Sequence, residues 1–184
     1  MNIIDWLKRL LTGTPRTEPG QSPFAPGTGP ARLLILRHGE KTGDKNDPYL
    51  SQPGQARAET LAAYIPETSG KPDFLIAAKT SRKSQRPYDT LKPLAESLGL
   101  DIMEKFDDEE VDALVAHLGG KSKYAGKFGV ISWRHSDIPA LLEALGAPAG
   151  SYPQDWDYNE YKLMFEVRFA DGRAPEVRRT IMPF

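Results

Sequence analysis

Leu33-Leu34-Ile35-Leu36-Arg37-His38-Gly39-Glu40 sets four apolar residues directly before a guanidinium, an imidazole, a glycine and a carboxylate. An apolar run of that length followed by polar residues reads as a buried strand that ends at a sheet edge. Open α/β sheets bind their ligands at that edge. Arginine offers a phosphate paired donors, histidine can act as a nucleophile, and glycine lets a backbone or a substrate approach closely. Taken alone, the same residues also describe a solvated surface turn.

Working outward, the pattern repeats. Phe74–Ala78 and Phe128–Trp133 are further apolar runs, with a shorter one around Ile102 and Met103. Helical spacing separates them: Ala58, Leu61, Ala62 and Ile65 behind a Ser51 cap, with Pro66 as the expected stop, then Leu91, Leu94, Ala95 and Leu98 behind Pro87. Pro93 is expected to bend that second helix, and Gly99 to end it. Val111, Leu114, Val115 and Leu118 share one face of a third helix, and the acids Asp107 to Glu110 fit its first turn, where the helix dipole favours them. Ile138, Leu141, Leu142 and Leu145 stripe a fourth. Asp171-Gly172 joins Tyr161–Phe169 to Pro175–Met182 as a hairpin. Strands alternating with helices predict an α/β three-layer sandwich: a mainly parallel central sheet flanked by helices, with a late C-terminal hairpin.

The chain is long enough for one ordinary domain, and a formal net charge of −1 gives no reason to expect a general nucleic-acid surface. With no cysteine, thiolate catalysis, disulfides and cysteine-bound zinc are excluded. Residues 1–30 read as a short amphipathic segment (Ile3, Trp6, Leu7, Leu10 and Leu11) followed by a Pro/Gly-rich linker, and residues 31–184 as the folded domain. The first segment is too short to span a bilayer and lacks a secretory cleavage pattern, so a cytoplasmic location is expected; weak docking through residues 1–11 on a membrane or partner stays open.

Three strand-to-helix junctions carry cationic or imidazole groups: Arg37 with His38, Arg86, and His135. Parallel strands present their C-terminal ends on one rim, so these residues can converge there. Two guanidiniums and two imidazoles make an anion pocket, whose natural guest is a phosphoryl group. An imidazole attacking phosphorus gives a covalent intermediate that water hydrolyses, and a carboxylic acid must protonate a basic leaving group.

On these residues the chain resembles the histidine phosphatases, the superfamily that includes the cofactor-dependent phosphoglycerate mutases. The likeness runs through Leu36-Arg37-His38-Gly39-Glu40, Leu50-Ser51 with Gly54, Ser84-Gln85-Arg86-Pro87-Tyr88-Asp89-Thr90, Pro93 to Leu100, and His135-Ser136-Asp137-Ile138-Pro139-Ala140-Leu141-Leu142. It implies a phosphoglycerate mutase-like fold and a metal-independent phosphatase without a cofactor. His38 would be the phosphorylated nucleophile, and Arg37, Arg86 and His135 the phosphate-binding groups. The substrate would be a phosphomonoester or phosphohistidine, small or carried on a protein. The general acid is left open between Asp137 and the Asp107/Asp108 pair, and Glu40 is a candidate either for that role or for the shell around His38. Trp133-Arg134 stands where many members have smaller residues. Two other readings compete: a phosphate-ligand or phosphoprotein binding module that barely turns over, and an imidazole metal site, which two adjacent guanidiniums disfavour by repulsion. His117, late in the third helix, reads as structural.

Overall fold

The computed structural model describes residues 20–44 and 46–184. The amphipathic segment 1–11 and the linker as far as residue 19 lie outside the described residues. Six strands form one sheet in the order β3-β2-β4-β1-β5-β6. They are β1 (Arg32–Arg37), β2 (Phe74–Ala77), β3 (Ile102–Met103), β4 (Phe128–Trp133), β5 (Leu163–Arg168) and β6 (Glu176–Ile181). The first four run parallel, while β5 pairs antiparallel with both β1 and β6. Among the described residues four α-helices cover the sheet: α1 (Gln52–Ser69), α2 (Arg86–Leu98), α3 (Val111–Gly119) and α4 (Ile138–Ala144).

The two-residue period of the strands divides the core between the faces. Leu33, Ile35, Ile131, Trp133 and Phe165 pack with Leu114, Leu118, Leu141 and Leu142 of α3 and α4. Leu34, Leu36, Leu75, Val130 and Met164 pack instead with Leu61, Ile65, Leu91 and Leu94 of α1 and α2. An apolar run buried on both faces is what a central parallel strand requires. β1 and β4 are accordingly adjacent, with Leu36 level with Ser132 and Arg37 level with Trp133. The ladder continues one step further, through the His38 amide donating to the Trp133 carbonyl at 3.1 Å. That bond sets the ends of the two central strands, and hence His38 and His135, beside each other.

Three sequence expectations need correction. Pro66 does not stop α1, which continues to Ser69 and closes with the Gly70 amide donating to the Pro66 carbonyl at 3.2 Å. Proline removes only its own donor, and near a helix end the remaining turn can still close. The acids Asp107 to Glu110 precede α3 rather than forming its first turn, since α3 begins at Val111. There the Asp107 amide donates to the Glu110 carboxylate at 2.9 Å, making a closed turn before the helix. Finally, residues 20–30 have no helix or strand, as their composition implies, yet they pack on the domain. Phe24 is buried in the core, edge-on to Phe169 at 4.9 Å, and the Gly27 amide donates to Asp171 in the hairpin turn at 3.1 Å. One large aromatic in a polar stretch is enough to anchor it.

No helix among the described residues is long and apolar enough to cross a membrane.

Candidate active site

Arg37 ends β1, completely buried. Its Nη1 donates to the main-chain carbonyls of Tyr158 at 2.5 Å and Glu160 at 3.0 Å, and its guanidinium lies 3.6 Å above the Tyr161 ring. The loop between α4 and β5 therefore fixes Arg37 from one side. Its Nε and Nη2 are buried without a hydrogen-bond partner. Leaving buried donors of a charged group unmet is costly, so these two nitrogen atoms are where an acceptor would be most favourable.

His38 is buried, and its Nδ1 lies 2.7 Å from the Gly39 carbonyl. A carbonyl can only accept, so Nδ1 carries the proton and Nε2 is left with its lone pair. Burial, with the charges of Arg37, Arg86 and His135, pushes the His38 pKa from 6.5 down to about 3 against the opposing Gly39 bond. A neutral imidazole with a defined free nitrogen is the form a nucleophile needs. Gly39 is fixed in turn: its amide donates to Thr90 Oγ1 at 2.8 Å, and that hydroxyl donates to the Arg86 carbonyl at 2.7 Å. Thr90 thus ties the His38 loop to the start of α2.

Arg86 stands in the first turn of α2. Its Nη1 donates to the Asp47 carbonyl at 2.7 Å and its Nη2 to the Lys83 carbonyl at 3.3 Å, while Nε is buried without a partner. His135 follows β4, with Nδ1 likewise buried and unpartnered. Burial and the charges of Arg37, Lys41 and Arg134 lower its pKa to about 4. The structure therefore brings all four residues, 37, 38, 86 and 135, into one electrostatic neighbourhood. Four of their buried nitrogen atoms lack an acceptor or donor.

The four carboxylates separate by environment. Glu40 is gripped by Arg57, whose Nη2 and Nε approach its oxygens at 2.6 and 2.9 Å. Burial favours its neutral form, but the Arg57 hydrogen bonds and charge win, and its pKa falls below the usual range. Ionised and occupied, it is a poor proton donor. Its carbonyl accepts the Ser51 amide at 2.9 Å and hydroxyl at 3.1 Å, so Glu40 joins the His38 loop to the cap of α1. Asp107 is exposed and faces Lys79 at 3.5 Å. Asp137 accepts the Ser136 hydroxyl at 2.7 Å and meets Arg134 at 3.5 Å. Asp108 differs from these three. Burial raises its pKa, the Arg134 charge only partly opposes this, and the Asp137 charge adds to it. Its own charge reaches Arg86.

Trp133-Arg134 now has an explanation. The Trp133 ring is in the core, away from the pocket, and its Nε1 donates to the Asp108 carbonyl at 2.9 Å. Arg134 bridges Asp108 at 3.6 Å and Asp137 at 3.5 Å. His117 sits between Phe106 and Tyr124, edge-on to both, with Nε2 3.4 Å from the Tyr124 hydroxyl. Arg57, Thr90, Asp47 and the Tyr158–Tyr161 loop were not singled out as site residues by sequence. Only the aromatic density of residues 152–161 could have pointed to the last of them.

A cluster of cationic and imidazole groups on the C-terminal rim of a mostly parallel sheet covered on both faces defines the chain's class as an α/β sandwich. The chain has the histidine phosphatase fold, in agreement with the resemblance read from its motifs. Over 83% of its length it superimposes on a mycobacterial glucosyl-3-phosphoglycerate phosphatase, Rv2419c, covering 98% of that chain with a TM-score of 0.56 and 18% identity. The protein histidine phosphatase SixA, solved with tungstate, gives a TM-score of 0.57 at 12% identity, over 82% of this chain and 96% of that one. A phosphoglycerate mutase from Bacillus anthracis gives 0.56 at 12% identity, over 84% and 94%. In sequence, the chain is 35% identical over 104 residues to the bifunctional protein Rv2228c of Mycobacterium tuberculosis and to a Mycobacterium bovis protein, Mb2253c. Those matches take in 50% of this chain, which spans 27% of the length of each of these relatives. No family model matches.

Proposed function

We propose that the chain is a metal-independent phosphatase that works through a phosphohistidine at His38. The single observation that carries this reading is the set of buried, unpartnered nitrogen atoms of Arg37, Arg86 and His135 around a neutral His38. A phosphoryl dianion satisfies those donors and supplies the negative charge the pocket lacks. Arg37 and Arg86 hold its equatorial oxygens as the His38 Nε2 lone pair attacks phosphorus and the bond to the leaving oxygen or nitrogen breaks. Asp108, whose hold on a proton burial strengthens, gives its proton to the departing group. Water then attacks the phosphohistidine, releasing phosphate and restoring the imidazole, with Asp108 recovering a proton.

Asp108 is preferred to Asp107, Asp137 and Glu40 because it alone combines a raised pKa with a charge that reaches Arg86. The reading carries with it a small phosphorylated substrate or a phosphoprotein, no cofactor, and a cytoplasmic location. It is supported by the phosphatases and mutases that share the fold, whose substrates differ from one another and therefore fix none here. Para-nitrophenyl phosphate turnover tests it. Wild type should hydrolyse this substrate, with the rate falling at least about a thousandfold in His38→Ala, which removes the nucleophile. Equal rates would overturn the proposal, and vanadate binding without turnover would point to a binding module instead.

A further inference from the structure

Lys41 directly follows the His38 loop, and its ammonium sits 4.2 Å above the Tyr158 ring. The same ring meets the His135 imidazole edge-on at 5.7 Å and lies 5.7 Å from the Arg37 guanidinium. One aromatic at the pocket mouth, more than half exposed, thus connects Lys41 to two of the phosphate-binding groups. Three neighbouring cations are occupied: Arg134 by Asp108 and Asp137, Lys79 by Asp107, and Arg57 by Glu40. Among the described residues Lys41 has no carboxylate within ion-pair distance. It is held by the ring face alone, which orients the ammonium without neutralising it. Its backbone is pinned independently by the bridge to Leu50, so its position does not depend on the side chain.

We infer that Lys41 forms a second anion subsite, which selects substrates carrying another negative group, a carboxylate or phosphate, a few bonds from the reacting phosphorus. This rests on the phosphate pocket proposed above and names the class of substrate it takes. The transferred phosphoryl group saturates Arg37, Arg86 and His135, while the second anion meets the Lys41 donors beside Tyr158. Neutral leaving groups gain nothing from this residue.

The test compares two phosphonates by calorimetry: methylphosphonate, which fills only the phosphoryl site, and phosphonoacetate, which adds a carboxylate. Wild type should bind phosphonoacetate about tenfold more tightly, as expected for one hydrogen-bonded charge pair. Lys41→Met should bring the ratio of the two affinities close to one, Lys41→Arg should keep it, and Tyr158→Ala should reduce it. A wild-type ratio near one overturns the subsite, as does a ratio that survives in Lys41→Met. Because each variant reports a ratio, a general loss of pocket integrity is not mistaken for loss of the subsite, and Lys41→Arg shows that the position tolerates change. If wild type binds neither phosphonate, the phosphate pocket itself is refuted along with the subsite. Binding of both without para-nitrophenyl phosphate turnover refutes catalysis alone.

Discussion

An imidazole with an ordinary pKa is half protonated near pH 6.5, and a protonated ring cannot attack phosphorus. Burial removes that difficulty at His38, whose ring stays neutral down to about pH 3. Burial acts on Asp108 in the complementary sense, raising the pKa of a carboxyl where it lowers that of an imidazole, which suits the general-acid role proposed for it. Asp108→Asn should therefore slow hydrolysis of alkyl phosphates by about a hundredfold or more, the usual contribution of a general acid. Para-nitrophenyl phosphate, whose leaving group needs little protonation, should lose far less. Steady-state rates on the two substrates check this, and an equal loss on both would assign Asp108 a structural role. Asp137→Asn serves as the comparison and should affect both substrates weakly.

At the scale of elements, the pocket depends on how tightly the β1–α1 connection is drawn. A Cβ on Gly54 would come 2.4 Å from the Glu40 carbonyl oxygen, and one on Gly39 would come 2.9 Å from the Gly54 carbonyl oxygen. Both obstacles are backbone and cannot rotate away. Gly54→Ala should displace Glu40 and the His38 loop, costing about 1–3 kcal/mol of stability as overpacking does. An ångström of displacement at a reacting group can cost about a hundredfold in rate. Urea unfolding and turnover measured on the same sample would show the two effects together, and a fully active Gly54→Ala would contradict the packing described here.

Much of this level was legible beforehand, because periodicity reports burial. The β1 and β4 runs, the α4 stripe and the Asp171-Gly172 turn all appear where their patterns place them. Local rules failed where a distant partner decided the outcome. Phe24 is drawn into the core from a Pro/Gly-rich stretch, and Asp108, ahead of α3, is held by Trp133 and Arg134 rather than by the helix dipole. The supports of Arg37 and Arg86 are main-chain carbonyls of residues 158, 160, 47 and 83, which no side-chain pattern reveals.

At the scale of the molecule, a near-neutral chain concentrates positive charge in one buried place, and stability should record the cost. His38 and His135 bind protons in the unfolded chain below about pH 6.5 but resist them when folded, to about 3 and 4. Across that window the unfolded state holds more protons, so stability falls as pH drops from 6.5 toward 4. The melting temperature of wild type should decline over this range more steeply than that of His38→Gln, and adding phosphate should raise it by mass action on the folded state. Parallel pH profiles in the two variants would reveal that histidine burial has no such effect.

In the proposed reaction His38 carries the phosphoryl group between substrate and water. Intact mass after rapid acid-free quenching from a phosphoryl donor tests it most directly. Wild type should gain one phosphoryl group, lost again on incubation, and His38→Ala should gain none. An unmodified wild type that still turns substrate over, or a His38→Ala protein phosphorylated to the same extent, would rule out His38 as the carrier.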